Sequence, residues 1–375
     1  MTFWLLAGLV ALLALLTLLP IWRYEAWWVR GQDFPRLQYA AAGLLLLAIE
    51  WLALDWSQRS SWVLIAVTLA CLVYQAWWIF PFTPLHRKEV KSVGNADPKE
   101  SLRIMGVNVL MPNRNADGLL RIINDARPDV IIAVETDLWW QNQLDVLDRE
   151  YPHSMKCPLD NLYGMHVYSR LLIEDGAIQF LVEPDIPSMH ALLVLPSGRR
   201  VRMHCVHPKP PSPTENPGSS ERDAELIAVA KSVADSESGA PVIVAGDLND
   251  VAWSATTRLF RKISGLLDPR VGRGMYNTFH ASYPFLRWPL DHLFHSDHFA
   301  VVNLARLPAF GSDHFPILVE IAFVKNLDRE QEGLTPDEGD LEWAAEKTGA
   351  EGAARTMCIL RANEQRSERE FALRY

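Results

Sequence analysis

The chain has 375 residues and a formal net charge of −9, and its four cysteines are scattered without a CxxC pair. This cysteine usage argues against both a zinc site and a disulfide framework. Residues 99–325 carry 22 Lys and Arg against 27 Asp and Glu. That balance excludes a domain-wide basic surface for long nucleic acids, and it leaves only a local basic patch open.

Three apolar runs lie near the amino terminus, at about residues 3–19, 37–56 and 62–82. Each has roughly the length of a membrane-spanning helix, and each is apolar on every face, which argues against a soluble helical hairpin. No Lys or Arg precedes the first run and no small-residue cleavage pattern follows it, so we interpret it as a retained anchor rather than a signal peptide. Residues 1–87 are therefore predicted to form a multi-pass membrane anchor in a lipid bilayer.

Basic residues near these runs predict the orientation of the chain. By the positive-inside rule, the first loop and the main domain are expected to be cytoplasmic, with the amino terminus on the other side. Glu50, inside the second run, is interpreted as lying near the interface or facing a neighbouring helix, and a functional membrane carboxylate is the alternative. The basic residues are Arg23, Arg30 and Arg36 in the first loop, Arg59 in the second, and Arg87, Lys88 and Lys91 after the third run.

Residues 88–100 are polar and are predicted to be a linker, and residues 101–325 then alternate between strand and helix patterns. Many strands of mixed spacing with interleaved helices indicate an α/β sandwich, in which two facing sheets carry helices on their outer sides. Residues 326–375 are charged and poor in large apolar groups, so we expect them to be disordered or to hold at most a loosely attached helix near 341–347. The predicted strands are 102–108, 129–134, 164–169, 177–182, 189–195, 201–206, 242–245, 290–295, 300–304 and 316–324, and the predicted helices are 119–126, 138–149, 221–234 and 256–263.

Chemically active side chains follow several of these strands. In the run 242–249, a β-branched strand ends at a glycine and then presents Asp247 and Asn249, two residues apart. Residues at i and i+2 of an extended segment point the same way, so this pair could converge on one hard cation or one phosphoryl group. An Asx turn that caps the strand is the plain alternative.

Other predicted strands of the domain are also followed by Asp, Glu, Asn or His. Strand ends that lie on one edge of a sheet meet in one place, and oxygen ligands favour a hard metal such as Mg²⁺. The pattern therefore predicts metal-assisted phosphate chemistry. The residues at predicted strand ends are Asn108, Glu135, His207, Asp247, Asn249, Asp291, Asp313 and His314.

Six short motifs, in this order, resemble those of the endonuclease/exonuclease/phosphatase superfamily, which includes pancreatic-type DNases, abasic-site endonucleases, inositol polyphosphate phosphatases and neutral sphingomyelinases. They cover about residues 101–323 and leave the apolar amino terminus and the tail outside the match. The motifs are Gly106-Val107-Asn108, Ala133-Val134-Glu135-Thr136, Val206-His207-Pro208, Gly246-Asp247-Leu248-Asn249, Pro289-Leu290-Asp291-His292 and Gly311-Ser312-Asp313-His314-Phe315-Pro316.

The resemblance implies a four-layer α/β/β/α, DNase I-like sandwich with its site at one edge. It implies that Glu135 is the principal ligand of Mg²⁺, with Mn²⁺ as an alternative, and that Asn108 and Asp313 lie near the metal. His314 would be the catalytic histidine, oriented by Asp291. It also implies that Asp247 and Asn249 position the attacking water and the phosphate, and that His207 donates to a phosphate oxygen or assists the leaving group.

The resulting function is a membrane-tethered, metal-dependent phosphoesterase that hydrolyses a phosphodiester or phosphomonoester. Three alternatives stay open: a nuclease acting on DNA or RNA, a sphingomyelinase-like hydrolase of lipid headgroups, and an inactive membrane scaffold. Specificity is expected in the loops 208–220 and 270–285. Candidate phosphate contacts are Arg199, Arg200, Arg202, Arg270, Arg273 and Arg287.

Overall fold

The structure, a computed structural model, describes residues 1–235 and 240–349. It begins with three long apolar helices, α1 (Thr2–Leu18), α3 (Arg36–Ala53) and α4 (Arg59–Ile79), and a short helix α2 (Trp27–Arg30) lies in the first loop. The long helices are apolar and long enough to cross a membrane. Only 28%, 22% and 28% of their apolar windows are buried within the protein, so most of this apolar surface faces outward.

Polar side chains inside this bundle pair with one another. Thr68 donates a hydrogen bond of 3.1 Å to the buried Glu50 carboxylate, so Glu50 faces α4, one of the two placements that we expected. Lower in the bundle, Gln75 donates to Thr17 at 3.1 Å and accepts from Arg36 at 3.3 Å. These contacts satisfy groups that would otherwise be costly to bury between helices.

The remaining chain forms two mixed sheets with helices on their outer faces, which confirms the predicted four-layer sandwich. The six-stranded sheet has the order β10-β11-β1-β2-β4-β3, and the five-stranded sheet has the order β5-β6-β7-β8-β9. The strands are β1 (Ser101–Asn108), β2 (Val130–Val134), β3 (His153–Cys157), β4 (Met165–Ser169), β5 (Leu172–Gln179), β6 (Ser188–Val194), β7 (Arg200–Cys205), β8 (Val242–Asp247), β9 (Asp291–His295), β10 (Phe299–Arg306) and β11 (Ile317–Phe323). The outer helices are α5 (Ala116–Ala126), α6 (Leu138–Leu144), α7 (Ser220–Asp235), α8 (Ala255–Ser264) and α9 (Glu338–Thr348).

The alternation of side chains along the strands explains the layers. In β8, Ile243 and Ala245 enter the core between the two sheets, whereas Val242 and Val244 pack under α7 and α8. The same alternation in β2 divides its residues between the central core and the layer beneath α5 and α6. Strands buried on both faces read as continuous apolar runs, which is why β2 and β8 were visible in the sequence.

Strand β3 was not predicted, because it is an edge strand in which only Met155 is buried. Part of the predicted linker also belongs to the fold. Val90 is fully buried in the central core, and the Val93 amide donates to the Val301 carbonyl at 3.0 Å. The segment therefore covers the edge of β10, which would otherwise expose unpaired backbone groups.

For residues 326–375 we expected disorder or at most a loosely attached helix near 341–347; the structure describes this tail up to residue 349, and residues 350–375 lie outside the described range. Helix α9 begins with a capping box between Asp337 and Asp340. Trp343 then packs into the core beneath α7 and α8, and buried Lys347 forms an ion pair of 2.8 Å with Asp223. The helix that we expected near 341–347 is therefore present, but it is packed on the sandwich and not loosely attached.

The loops between the long helices pack directly on the sandwich. The Trp27 amide donates to the Pro217 carbonyl at 3.0 Å, and the Trp253 indole donates to the Asp33 carbonyl at 2.9 Å. Phe82, after α4, is buried beside Trp253 and Leu290. The helices and the sandwich therefore share an apolar junction and are not joined only through a flexible linker.

The packing of α9 predicts the effect of a core truncation. Trp343→Ala should lower the free energy of unfolding by about 3 kcal/mol, because it removes a large buried side chain from the layer under α7 and α8. Leu341→Ala, on the same helix but 53% exposed, is the matched control and should change it by less than about 0.5 kcal/mol. Denaturant titration of the full chain in detergent measures both, and equal effects would contradict the docking of α9.

Candidate active site

The predicted site residues meet at one edge of the two facing sheets. In the six-stranded sheet, β1 and β2 run parallel with Asn108 beside Val134, so Asn108 and Glu135 emerge together. In the five-stranded sheet, Asp247 at the end of β8 pairs in register with Asp291 at the start of β9. Asp313 and His314 precede β11, which is antiparallel to β1, and they therefore reach the same edge.

Three residues at this edge have positive φ angles, which are unusual in proteins. Glu135 and Asn249 have φ values of 61° and 50°, in the left-handed region that non-glycine residues seldom adopt. Gly246 has a φ of 145°, and a Cβ atom there would lie 1.9 Å from the Val206 carbonyl oxygen. Such conformations cost about 1–3 kcal/mol each and persist only when the surrounding structure holds them.

An amide joins two carboxylates that come from different sheets. The Asn108 side chain donates to Glu135 Oε1 at 2.6 Å and to Asp247 Oδ2 at 3.1 Å, while its own oxygen accepts from the Leu110 amide at 2.9 Å. Burial raises the pKa of Glu135 to about 7. Burial, with Asp291 nearby, also raises the pKa of Asp247 to about 7 although His314 opposes the shift. Buried carboxylates with raised pKa values favour a cation among them.

His314 lies between two carboxylates. Its Nδ1 is 2.8 Å from Asp291 Oδ2, and its Nε2 is 3.5 Å from Asp247 Oδ2. Burial lowers the pKa of His314, but Asp291 and Asp247 outweigh it and raise the value to about 10. Burial raises the pKa of Asp291, but the His314 charge outweighs it and holds the pKa of that carboxyl below its usual range. The pair therefore stands as imidazolium and carboxylate at neutral pH.

Two ligand sets at this edge could hold a divalent ion. Glu135 supplies a carboxylate with Asp313 nearby, and burial raises its pKa, whereas Asn108 contacts it through its amide nitrogen, which donates and does not bind a cation. A second set is formed by Asp247, Asp291 and His314, whose ligand atoms all lie within 4.8 Å of one another. A protonated imidazole has no free lone pair, so the second set can bind metal only after His314 loses its proton. The donor chemistry thus fits a hard cation best at Glu135.

Asn249 and Asp313 are held by backbone contacts. The Asn249 amide donates to Asp247 Oδ1 at 3.0 Å, and its side-chain nitrogen donates to the Pro208 carbonyl at 2.9 Å. The Asp313 carbonyl accepts from the Ala281 amide at 2.6 Å. The backbone of Asp313 is therefore fixed beside His314, and the Asn249 side chain contacts the start of the loop that follows Pro208.

His207 is buried beside the ring of Tyr163, with the ring centroids 5.4 Å apart. Burial lowers the pKa of His207 to about 3, and the His314 charge contributes to the shift. Its Nδ1 has no hydrogen-bond partner among the described residues. His207 is therefore a neutral imidazole with one free ring nitrogen, and it does not act as a second cation.

Three residues that support the site were not predicted. The Ser312 hydroxyl donates to the Asn108 carbonyl at 2.8 Å and accepts from the His314 amide at 3.0 Å, so it fixes the histidine to the end of β1. Thr278 accepts from the Asp291 amide at 3.3 Å. Buried Arg222 donates to the Asn249 carbonyl at 2.9 Å. Only Ser312 lay inside a recognised motif, and nothing local to Thr278 or Arg222 signalled their positions.

The arginines proposed as phosphate contacts mostly have structural partners. Arg199 pairs with Glu100 at 2.9 Å and Arg200 pairs with Glu174 at 2.6 Å. Arg270 is buried against Asp268 at 2.8 Å. Arg273 and Arg287 donate mainly to backbone carbonyls. Arg199, Arg200 and Arg270 are each engaged by an acid that the sequence pattern did not reveal, so a phosphate would have to compete with that acid for the guanidinium.

A sequence model of the Endonuclease/Exonuclease/phosphatase family matches residues 105–314. The chain belongs to this family. Members of the endonuclease/exonuclease/phosphatase family usually hydrolyse phosphate esters and use divalent metals. No curated protein sequence matches the chain.

Solved structures with a similar fold come from several organisms. The human Nocturnin catalytic domain with a bound sulfate anion is 16% identical, and the match covers 61% of this chain and 97% of that one with a TM-score of 0.49. A humanized D. rerio TDP2 is 18% identical, with coverages of 59% and 99% and a TM-score of 0.48. An endonuclease/exonuclease/phosphatase from Beutenbergia cavernae is 19% identical, with coverages of 60% and 72% and a TM-score of 0.47.

Metal binding should be visible as stabilisation. Saturating Mg²⁺ or Mn²⁺ should raise the Tm of the full chain, since a ligand at one hundred times its Kd adds about 2.7 kcal/mol. Glu135→Gln should abolish this response, while Glu342→Gln, an exposed position on α9, should retain it. A response that survives Glu135→Gln and disappears in Asp291→Asn would assign the ion to the second ligand set instead.

The ion pair of His314 predicts a dependence of stability on pH. Because the folded pKa lies above the ordinary value of about 6.5, the stabilisation is complete below about pH 6.5 and is lost as pH rises toward about 10. Asp291→Asn should cost about 3 kcal/mol at pH 6.5 in metal-free buffer, with a smaller difference from wild type at pH 10. Thermal unfolding at both pH values measures this, with the exposed Asp125→Asn as control. A difference independent of pH would contradict the charged pair.

Proposed function

We propose that this protein is a membrane-anchored, metal-dependent phosphoesterase that cleaves the phosphate ester of a lipid headgroup. The observation that carries the proposal is a single loop, residues 279–288, which extends from the site to the beginning of α3. The family membership supports phosphate-ester hydrolysis, and the three apolar helices support the anchor. By the distribution of basic residues, the catalytic sandwich is proposed to lie on the cytoplasmic side.

In this proposal, Glu135 holds a divalent ion, Mg²⁺ or Mn²⁺, with Asn108 and Asp313 beside it. When bound, the ion would supply positive charge to a phosphate oxygen. The His314 imidazolium would add a second positive charge where negative charge grows in the transition state. The acceptor nearest to His314 Nε2 is Asp247 Oδ2, at 3.5 Å, so this nitrogen is available to donate to a phosphate oxygen.

Asp247 is the residue best placed to accept a proton from the attacking water. Its pKa of about 7 makes it a stronger base than an ordinary aspartate, and the Asn249 amide orients one of its oxygens. The water oxygen bonds to phosphorus, one water proton passes to Asp247, and the ester P–O bond breaks with the leaving oxygen protonated by solvent. Neutral His207 would donate a hydrogen bond to a phosphate oxygen or assist the leaving group.

The loop 279–288 favours a lipid substrate. At one end, the Phe279 ring lies 4.9 Å from the His314 ring. At the other, the Phe285 carbonyl accepts from Gln38 at 2.7 Å, in the first turns of α3. Phe285 is 88% exposed and Tyr283 is 58% exposed. An aromatic tip beside the end of a membrane-spanning helix suits the headgroup region, so the mouth of the site would open at the bilayer surface.

Charge also favours this substrate over a long nucleic acid. The formal net charge is −9, and three of the candidate arginines are paired with carboxylates. A protein that contacts many phosphates of a duplex needs a corresponding number of free Lys and Arg side chains. A lipid headgroup presents one phosphate, which the site residues can hold by themselves.

The test uses the full chain in nanodiscs, because Phe82, Val90 and Trp343 lie in the cores of the sandwich and a fragment of residues 99–325 would lack them. Phospholipids, sphingomyelin, inositol phosphates, DNA, RNA and a water-soluble chromogenic diester are assayed with Mg²⁺, Mn²⁺ or a chelator. We expect metal-dependent release of a lipid headgroup that Asp313→Ala with His314→Ala abolishes. Preferred cleavage of DNA or RNA would identify a nuclease, and no turnover of any substrate would favour a scaffold.

The loop provides a sharper test of substrate class. Phe285→Ser should lower turnover of bilayer lipid by about tenfold, since it removes an exposed aromatic anchor, and should leave turnover of the soluble diester unchanged. Val146→Ser, at a 65% exposed position in the turn after α6, is the matched control. Equal loss on both substrates would show that the loop acts on the chemistry and not on access from the membrane.

A further inference from the structure

A cavity of about 150 Å³ lies where α4 ends against α8. Its walls include Trp77, Trp78, Ser254, Arg258 and Arg261. None of Asn108, Glu135, Asp247, Asp291 and His314 lines it, so it is separate from the candidate active site.

The cavity holds hydrogen-bond donors that have no acceptor. Arg258 is partly buried and has no carboxylate or carbonyl partner among the residues that the structure describes. The indole Nε1 of Trp78 and the Nε of Arg261 are buried and also lack a partner there. Burial of a donor without an acceptor is unfavourable, because the donor loses its hydrogen bonds to water, so such groups normally meet a ligand or water.

The charged side chains in the wall of the cavity favour an anionic ligand. Glu89, the acidic residue in its wall, already forms an ion pair with Arg261 and accepts from the Asp268 amide at 2.9 Å. Arg258 therefore remains as an uncompensated positive charge. A phosphate group matches this arrangement, because its oxygens are strong acceptors and a guanidinium can bind two of them at once.

The position of the cavity indicates where that phosphate comes from. Trp77, in its wall, is 68% exposed near the carboxyl end of α4, and the apolar segment that includes this helix ends at Phe82. Tryptophans at the end of a spanning helix lie at the level of the lipid headgroups. The exposed Arg87 and Lys88 follow directly and add positive charge at the same level.

We propose that this cavity binds the headgroup phosphate of an anionic phospholipid from the surrounding bilayer, with Arg258 as the principal contact and Trp78 as a second donor. The bound phosphate would connect the end of α4 to α8, next to the contact of Trp253 with Asp33. The lipid would thereby reinforce the junction between helices and sandwich. The proposal rests on membrane insertion of the helices but not on catalysis.

The test measures lipid retention by the full chain and requires no turnover. The protein is reconstituted in nanodiscs of phosphatidylcholine with or without phosphatidylglycerol, in chelator, and retained lipid is counted by native mass spectrometry after transfer to detergent. We expect one retained phosphatidylglycerol per chain, with affinity reduced about tenfold or more in Arg258→Gln and several-fold in Trp78→Phe. Arg121→Gln, which removes the same charge from an exposed position on α5, should bind like wild type.

Lipid bound elsewhere, including any in the active site, would be retained equally by Arg258→Gln and Arg121→Gln. A difference between the two variants therefore identifies lipid bound in this cavity. Equal retention by the two variants would overturn the proposal, as would equal retention of phosphatidylcholine and phosphatidylglycerol by wild type. Inorganic phosphate and glycerol phosphate are added as competitors. If they occupy the site as tightly as the lipid does, the ligand is a free phosphate and the lipid assignment is wrong. Loss of headgroup hydrolysis with normal retention would count against the proposed function alone.

Discussion

The electrostatic balance at one edge of the two sheets determines how the rest of this site can work. Asp247 and Asp291 are buried and Glu135 is partly buried beside them, and removing three carboxylates from water is unfavourable unless positive charge or hydrogen-bond donors accompany them. His314 supplies one charge, and the Asn108 amide supplies donors to two of the acids. The remaining deficit at Glu135 is the physical reason why the site suits a divalent cation.

The same balance separates the roles of groups that look alike in the sequence. His314 is held as a cation because two acids face it, whereas His207, buried near it, is held neutral. Asp291 stays ionised beside His314, while Asp247 is shifted toward the pKa of a useful base. Different surroundings thus separate the pKa values of two aspartates that the sequence alone does not distinguish, as they do for paired carboxylates in general.

The apolar helices are packed on the sandwich, and this arrangement makes them part of its structure. Phe82 and Val90 enter the cores of the sandwich, and the first loop pairs with the segment before α7. The loop 279–288 touches both His314 and α3. The position of the site relative to the apolar helices is therefore determined by packed contacts and not by linker length.

Local patterns in the sequence determined the three apolar helices, the buried strands β2 and β8, and the polar residues that follow the strands, because periodicity and strand-end chemistry are properties of neighbouring residues. They also carried the family resemblance and the fold. Only the tertiary structure decided which arginines pair with acids, where Ser312, Thr278 and Arg222 support the site, and that α9 and the segment near Val90 complete the cores. Each of these contacts joins residues far apart in the chain, or shifts a pKa through burial, and neither effect leaves a local signal.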